Sequence, residues 1–368
     1  MKITAAVARE AEQPFSVEEL ELEGPRAGEV LVRVVATGMC HTDLIVRDQW
    51  YPVPLPCVLG HEGAGVVEEV GEGVTKVEPG DNVVLTFASC GKCANCLRGK
   101  PTYCLSFFGL NFGGGRLDGT SPISGDGETV HGHFFGQSSF ATHALATERN
   151  VVKVADDAPL EMLGPLGCGI QTGAGGVLNT LHPEAGTSIV VFGTGAVGLS
   201  AIMAARIAGC TTIIGVDVKH DRLKLAEELG ATHAINGSET NAVEAVKELT
   251  GGGADFSVET TAVPAVFRQA VDALGLLGVC GLIGAARLGT EATFDMNDIL
   301  IPGKTIRGIV EGESVPDVFI PRLVELYAQG RFPMDRLVKY YDLDGINDAA
   351  HAAEEGDAIK PVLRVSQG

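Results

Sequence analysis

The sequence predicts an α/β protein built from a β-rich domain and a doubly wound parallel sheet, and three observations carry that reading. Residues 1–85 hold short Val-rich runs separated by Gly and Pro turns, the pattern of strands joined by tight connections. From Gly164 onward strand-like and helix-like runs alternate, which is the βαβ order of a parallel sheet. At 368 residues the chain is long for a single hydrophobic core, so two domains are the natural division. With 49 glycines and 45% hydrophobic residues it reads as turn-rich and folded, not disordered.

In chain order, strands are expected at 3–8, 15–22, 30–35, 63–70 and 82–85, the last after the turn Pro79-Gly80-Asp81. Within 30–35, Val30, Val32 and Val34 fall on one face, as in a half-buried strand. Residues 105–145 carry Gly and Phe without a clear period and read as a long loop ending in a strand over 139–145. Beyond the glycine-rich segment 164–176, strands at 188–192, 212–216, 232–235, 255–260, 278–283 and 305–310 alternate with helices, one running to about Ala208 and others at 221–229, 242–249 and 264–274. Helices at 316–329 and 346–355 and a strand at 361–365 are expected to fold back on the first domain. No internal repeat is evident.

The formal net charge of −20 disfavours nucleic acid or an anionic membrane as a general partner, because both are held by Lys and Arg. The start Met-Lys-Ile-Thr-Ala-Ala-Val lacks the apolar segment of a signal peptide, and no run approaches the ~20 apolar residues of a membrane span. A cytoplasmic location follows as the expectation. Nine cysteines in a reducing compartment point to metal or thiol chemistry before disulfides.

Four of those cysteines cluster as Cys90-Gly-Lys-Cys93-Ala-Asn-Cys96 with Cys104 beyond. Thiols at this spacing can wrap one tetrahedral ion and leave no position for water, the arrangement of structural zinc. An iron–sulfur centre or reactive thiols are the alternatives. A second set is Gly-Met-Cys-His-Thr-Asp at 38–43 and Gly-His-Glu at 60–62, which place Cys40 and His61 in glycine-flanked turns. A catalytic zinc usually has three protein ligands and an open position, and Cys168, between two glycines, is the best third. Taken singly, each of the three also reads as an ordinary buried residue.

Gly193-Thr-Gly195-Ala-Val-Gly198 lies between the strand at 188–192 and a helix, and Asp217 ends the next strand. An acid about 20 residues past the glycines completes the dinucleotide-binding fingerprint. The glycines let the backbone reach a pyrophosphate at the helix N-terminus, and Asp217 can accept hydrogen bonds from the adenosine ribose. A 2′-phosphate would meet that carboxylate with like charge, so the expected cofactor is NAD.

Together these motifs resemble the zinc-dependent medium-chain alcohol dehydrogenases over nearly the whole chain. Cys-His-Thr-Asp at 40–43, Phe-Phe-Gly-Gln-Ser-Ser-Phe at 134–140 and Gly-Pro-Leu-Gly-Cys-Gly-Ile-Gln-Thr-Gly at 164–173 are similar to the bacterial aryl-alcohol branch, which includes benzyl alcohol dehydrogenases and the similar geraniol dehydrogenases. The resemblance implies a GroES-like catalytic domain at 1–170 and 312–368, a Rossmann NAD-binding domain at 171–311, and an active site in the cleft. Cys40, His61 and Cys168 would bind a catalytic zinc, with Glu62 beside it and Asp43 orienting the His61 ring; Cys90, Cys93, Cys96 and Cys104 would bind a structural one. Thr42 would hydrogen-bond the alcohol oxygen. Gly193, Gly195, Val197, Gly198 and Asp217 would hold the cofactor, with Thr172 at its nicotinamide end, His41 and Arg364 at its pyrophosphate and Arg222 at its ribose. Phe87, Trp50, Tyr51 and Phe134 would line the substrate pocket. Cys57, Cys210 and Cys280 are left as core thiols.

The implied activity is NAD- and zinc-dependent oxidation of primary aromatic or allylic alcohols to aldehydes, by a homodimer or homotetramer. Terpenoid alcohols such as geraniol are an alternative substrate class. A glutathione-dependent formaldehyde dehydrogenase would want charged residues where Gln49, Trp50 and Tyr51 stand, and a zinc-free quinone-reductase-like relative or binding protein would lack the metal residues. One position departs from the pattern: many members end the proton relay with a histidine where this chain has Ile45. The proton is then left with the cofactor ribose and water, or with His41.

Overall fold

In the computed structural model, which describes residues 1–125 and 127–366, the strand Glu29–Gly38 is the spine of the first of two units. Only Arg33 on it is more than slightly exposed, so it is not the one-faced strand that its alternating valines suggested. Val30, Val32 and Val34 face one apolar cluster with Val67, Val83 and Leu85, while Leu31 on the opposite face enters a larger one with Leu145 and Leu363. Both faces are covered, which hides the alternation.

That strand pairs antiparallel with Glu62–Val70, His143–Thr147 and Lys360–Arg364 in a seven-stranded sheet, which also takes in Asn82–Leu85, Val151–Lys153 and Val338–Asp342. A five-stranded sheet runs in the order Cys57–Val58, Lys2–Ala8, Ser16–Leu22, Ile123–Gly125, Glu128–Val130. The region 105–145 is therefore less open than its composition implied. It contains the helix Phe107–Asn111 and two short strands. Residues 38–43, read from sequence as a turn, open a helix instead: His41–Arg47 begins with Cys40 at its cap, and the Asp43 carboxylate accepts from the Cys40 N–H at 2.9 Å. A thiol stands where a capping box usually has Ser or Thr.

The second unit is an all-parallel six-stranded sheet in the order His233–Asn236, Thr212–Asp217, Ser188–Phe192, Ala254–Glu259, Leu274–Leu282, Thr305–Gly308. Val190, Phe192, Ile214, Val246 and Ala270 form its core, with the helices Ala196–Ala208, His220–Leu229, Ala242–Thr250 and Pro264–Asp272 as the crossovers between strands. The first unit comprises Met1–Cys168, Val315–Glu325 and the chain from Asp335; the second comprises Gly169–Ser314 and Leu326–Met334. The divisions expected from the sequence fall after residues 170 and 311. Among the described residues no helix is long and apolar enough to cross a membrane.

Candidate active site

Three segments of the first unit bring Cys40, His61, Glu62 and Cys168 together, with one ligand-type atom from each lying within 4.8 Å of the others. Cys40 caps its helix, His61 immediately precedes the strand Glu62–Val70 that Glu62 opens, and Cys168 occupies the bend between the short helices Gly164–Gly167 and Gly169–Gly175. Glycines make the approach possible. A Cβ at Gly164 would strike the Glu62 carbonyl oxygen, and one at Gly167 would strike that of Leu85. The loop before Cys168 thus lies directly on the strand that carries His61.

His61 Nδ1–H donates to Asp43 Oδ1 at 2.8 Å, both side chains being fully buried. Asp43 also accepts from the Gly60 N–H at 3.1 Å, so one carboxylate fixes the ring, its own backbone and the Cys40 N–H. With Nδ1 committed, Nε2 is the ring atom left to face a ligand, and it is buried with no nitrogen or oxygen partner. An unpaired buried polar atom costs roughly 1–3 kcal/mol, which a metal ion would remove. The thiols agree. The hydrogen bond from Cys168 holds the Cys40 thiol well below its usual pKa against the opposing effect of burial, with the charges of Lys360 and His61 helping. Burial disfavours charge on His61, yet the Asp43 carboxylate, with Cys40 adding to it, outweighs burial and holds the ring well above its usual value, so positive charge at Nε2, a proton's or a metal ion's, is favoured. A thiolate and a carboxylate around one imidazole form a site that favours a cation, and its soft S, N, S donors suit zinc.

Glu62 is not available to that cation on equal terms. Lys360, on the strand Lys360–Arg364, donates to both Glu62 carboxylate oxygens at 3.0 Å and to the Met39 carbonyl oxygen at 3.2 Å, and it is only 3% exposed. Lys360 escaped the sequence reading because Ala-Ile-Lys-Pro near the end of the chain carries no local motif.

The second metal-type cluster is Cys90, Cys93, Cys96 and Cys104. Its Cys93–Cys96 and Cys90–Cys96 sulfur separations are 3.5 and 4.0 Å. Tetrahedral zinc with ~2.3 Å bonds needs about 3.8 Å, so the shell is already the right size. Backbone N–H groups of Cys96 and Leu105 pull the Cys93 thiol down to about 6, while burial pushes Cys96 up to about 12. Four sulfurs leave no open position. Cys93→Ser is therefore expected to lower thermal stability and soluble yield, with kcat per folded molecule changed less than threefold; calorimetry alongside active-site titration checks this.

In the second unit, Gly193 has φ +87° and its N–H donates to the Val216 carbonyl oxygen at 2.8 Å, turning the chain sharply after its strand. A Cβ at Gly198 would collide with the Gly193 carbonyl oxygen, whereas one at Gly195 would meet nothing within 4 Å. The turn is closed behind and open in front. Gly195 caps the helix Ala196–Ala208 with no side-chain acceptor, so no capping side chain competes for the first-turn N–H groups, including that of Val197, that a phosphate would use. Asp217 lies beside the turn. Its Oδ2 accepts from the N–H and hydroxyl of Thr194 (2.7 and 2.9 Å), and its Oδ1 from the N–H groups of Val218 and Lys219 (2.8 and 3.0 Å). These residues fit a dinucleotide. The carboxylate also tethers the glycine turn, a role that spacing alone does not reveal.

Of the other predicted residues, Arg222 is half-buried on the helix His220–Leu229 that follows Asp217. Thr172 lies on the helix Gly169–Gly175, its hydroxyl 3.5 Å from Glu311. His41 and Arg364 belong to the first unit. His41 is exposed with its ring edge-on to Trp50, and Arg364 stacks over Tyr340 at 4.1 Å and pairs with Glu161 at 3.2 Å. Thr42 is half-buried, its hydroxyl 3.7 Å from Cys40 Sγ. Ile45 is 2% exposed. Cys57, Cys210 and Cys280 are buried free thiols.

The aromatic residues divide. Trp50 and Tyr51 are half-buried, whereas Phe87 and Phe134 are buried almost completely. Phe134 meets the His61 ring edge-on at 5.4 Å, and Phe135, which sequence reading passed over, lies closer at 4.5 Å. Phe107 and Phe112 extend this cluster to Phe87 and Tyr51.

A parallel-sheet cofactor unit, and a β-rich unit in which two thiols converge on an unpaired imidazole nitrogen, define a zinc-dependent dehydrogenase. Comparison with known proteins gives the same class. Residues 26–156 match the alcohol dehydrogenase GroES-like domain and residues 196–329 the zinc-binding dehydrogenase family. The chain is 48% identical to a geraniol dehydrogenase of Castellaniella defragrans over 98% of its length and 96% of that protein. Its structure superposes on benzyl alcohol dehydrogenase from Acinetobacter calcoaceticus with a TM-score of 0.97 at 52% identity, each chain covered in full. An alcohol dehydrogenase zinc-binding domain protein from Burkholderia ambifaria gives a TM-score of 0.98 at 60% identity, covering 100% of this chain and 99% of that one. The chain belongs to the zinc-dependent medium-chain alcohol dehydrogenase family, and it is an alcohol dehydrogenase that uses NAD and zinc.

Proposed function

We propose that this chain oxidises primary aromatic or allylic alcohols to aldehydes, with Cys40, His61 and Cys168 as the ligands of its catalytic zinc. The observation that carries the ligand reading is the buried, unpartnered Nε2 of His61 facing two thiols. Zinc with an open position acidifies a bound alcohol, and NAD accepts the hydride. Everything else falls to the chain. Asp43 fixes the His61 ring, Lys360 holds Glu62 back, and the Thr42 hydroxyl, able both to donate and to accept, receives the alcohol proton and passes it outward. Trp50 and Tyr51 offer half-buried aromatic surface to an apolar substrate, and relatives named for benzyl alcohol and geraniol support this class. Turnover of benzyl alcohol, geraniol, ethanol and S-hydroxymethylglutathione with NAD is the test. Preference for either of the last two would overturn the substrate reading.

Asp217 sets the preference for NAD in this reading. Asp217→Ser is expected to reduce the NAD-over-NADP ratio of kcat/KM at least about tenfold, since a charged hydrogen bond is worth ~1.5–3 kcal/mol. Because the carboxylate also ties Thr194 to the strand end, NAD affinity should fall in absolute terms as well. An unchanged ratio would show that Asp217 does not meet the ribose.

The relay gives a further expectation. Ile45→His should raise alcohol oxidation a few-fold on the acid side of the pH profile, because an added imidazole accepts the proton that otherwise leaves through water. Burial at this position will keep the ring neutral to lower pH than its usual ~6.5. A profile that stays unmoved, while wild type keeps a histidine-like limb after His41→Gln, would place the base elsewhere.

A homodimer or homotetramer is part of the same proposal. The strand Thr305–Gly308 is the last of the six-stranded sheet, and Leu276, Leu277, Met296, Leu300 and Ile301 in the same unit are exposed, apolar side chains that a partner subunit would cover. Light scattering reads the molecular mass directly. Nine cysteines with no disulfide among the described residues support a cytoplasmic location.

A further inference from the structure

In the turn His-Phe-Phe-Gly-Gln-Ser-Ser-Phe at 133–140, the last four residues, Gln137 to Phe140, are bonded to the segment 58–63 that carries His61. Ser138 Oγ donates to the Val58 carbonyl oxygen (2.6 Å), the Phe140 N–H to that of Leu59 (3.1 Å) and the Ser139 N–H to that of Gly60 (2.9 Å). Gln137 Nε2 donates to the His61 carbonyl oxygen (2.9 Å), and Gln137 Oε1 accepts from the Gly63 N–H (3.1 Å). One amide thus brackets Glu62.

The same amide reaches the third ligand segment. Gln137 Nε2 also donates to the Thr86 carbonyl oxygen (3.2 Å), and the Thr86 hydroxyl donates to the carbonyl oxygen of Gly167 (2.7 Å), the residue before Cys168. Asn150 Nδ2 ties Thr86 back to the turn through the carbonyl oxygens of Thr86 (3.2 Å) and Gly136 (3.0 Å). Gln137 and Thr86 are 2% and 0% exposed. His133, Phe135 and Ser138 have φ of 60°, 52° and 55°, a left-handed conformation costly for residues with side chains. Such strain persists only where the surroundings over-determine it.

We infer that Gln137 is a positioning residue for the metal site, fixing the spacing of His61 and Cys168 through their peptide backbones, directly at His61 and through Thr86 at Gly167. This rests on the reading of Cys40, His61 and Cys168 as ligands. An apolar side chain could fill the same space, but it would take the partner from the His61 carbonyl oxygen and the Gly63 N–H and leave the Thr86 carbonyl oxygen to Asn150 alone among these side chains. Glutamate would keep the acceptor and lose the donor. In either case the two ligand segments lose their common reference, and the metal is held less firmly.

The test is the rate at which zinc-loaded protein yields zinc to a chromophoric chelator, together with the visible spectrum of the cobalt-substituted site. Gln137→Glu and Thr86→Val are expected to release one zinc on the order of ten- to a hundredfold faster than wild type and to shift the cobalt bands, whereas Thr86→Ser, which keeps the hydroxyl, should match wild type. The KM for NAD should not change. Folded Gln137→Glu and Thr86→Val proteins with wild-type release and unshifted bands would overturn the inference. Should Gln137→Glu not fold, the Thr86 pair decides by the same criterion. If His61→Ala also keeps both zincs at the wild-type rate, the ligand reading itself fails and takes this inference with it.

Discussion

Cys168→Ala is expected to abolish alcohol oxidation while leaving the fold and the four-cysteine zinc in place. Cys168 sits in a bend between two short helices and closes the S, N, S set with Cys40 and His61. Without it the ion loses one of three protein ligands. Removing several kcal/mol of charge stabilisation at a factor of ten per 1.36 kcal/mol puts the loss of kcat at about 10³-fold or more. Circular dichroism and the melting temperature should stay near wild type, because Cys168 is small and alanine suits a helix junction. Comparable turnover in the variant would remove Cys168 from the ligand set.

The second large effect concerns stability. Lys360→Met should destabilise the protein by about 3–5 kcal/mol, the range found when one partner of a buried ion pair is removed and the other is left charged. Glu62 would keep its charge and lose the partner from which both its oxygens accept, at a fully buried position. A strong non-additivity follows: the double variant Lys360→Met with Glu62→Leu should recover most of the loss, because replacing a whole buried pair with apolar groups is often neutral. Lys360→Arg should keep the charge and lose less than Lys360→Met. Additive effects of the two single changes in denaturant unfolding would mean that the pair is not coupled.

How much of this could be read from the amino acids alone depended on whether the signal was local. The glycine turn at 193–198, Asp217 and the four-cysteine cluster are contiguous or nearly so, and their chemistry is written in their spacing. Within the parallel sheet, strand Ser188–Phe192 and helix Ala196–Ala208 fall where the apolar pattern put them, since each packs as its own period dictates. The first unit was harder. Its spine strand is buried on both faces, so the alternation of Val30, Val32 and Val34 misreported its surroundings. Cys40 to Asp43 looked like a turn because the cap bond that starts the helix is made by Asp43, a side chain that reads equally well as part of a loop. Lys360 and Gln137 act across long stretches of sequence, on Glu62 and on His61, and no periodicity carries such a pairing. What local pattern could supply was the set of donor types; what it could not supply was the layer that aims them.

A catalytic zinc held at Cys40, His61 and Cys168, apart from the four-cysteine site, is the feature from which the chemistry follows. Zinc content per chain, measured by mass spectrometry on purified wild type and on Cys168→Ala, tests it most directly. Two zincs in wild type falling to one in the variant, with alcohol oxidation lost in step, is the predicted result for the two clusters. A wild-type protein that oxidises alcohol with one zinc or none, or a variant that keeps both zincs, would contradict it.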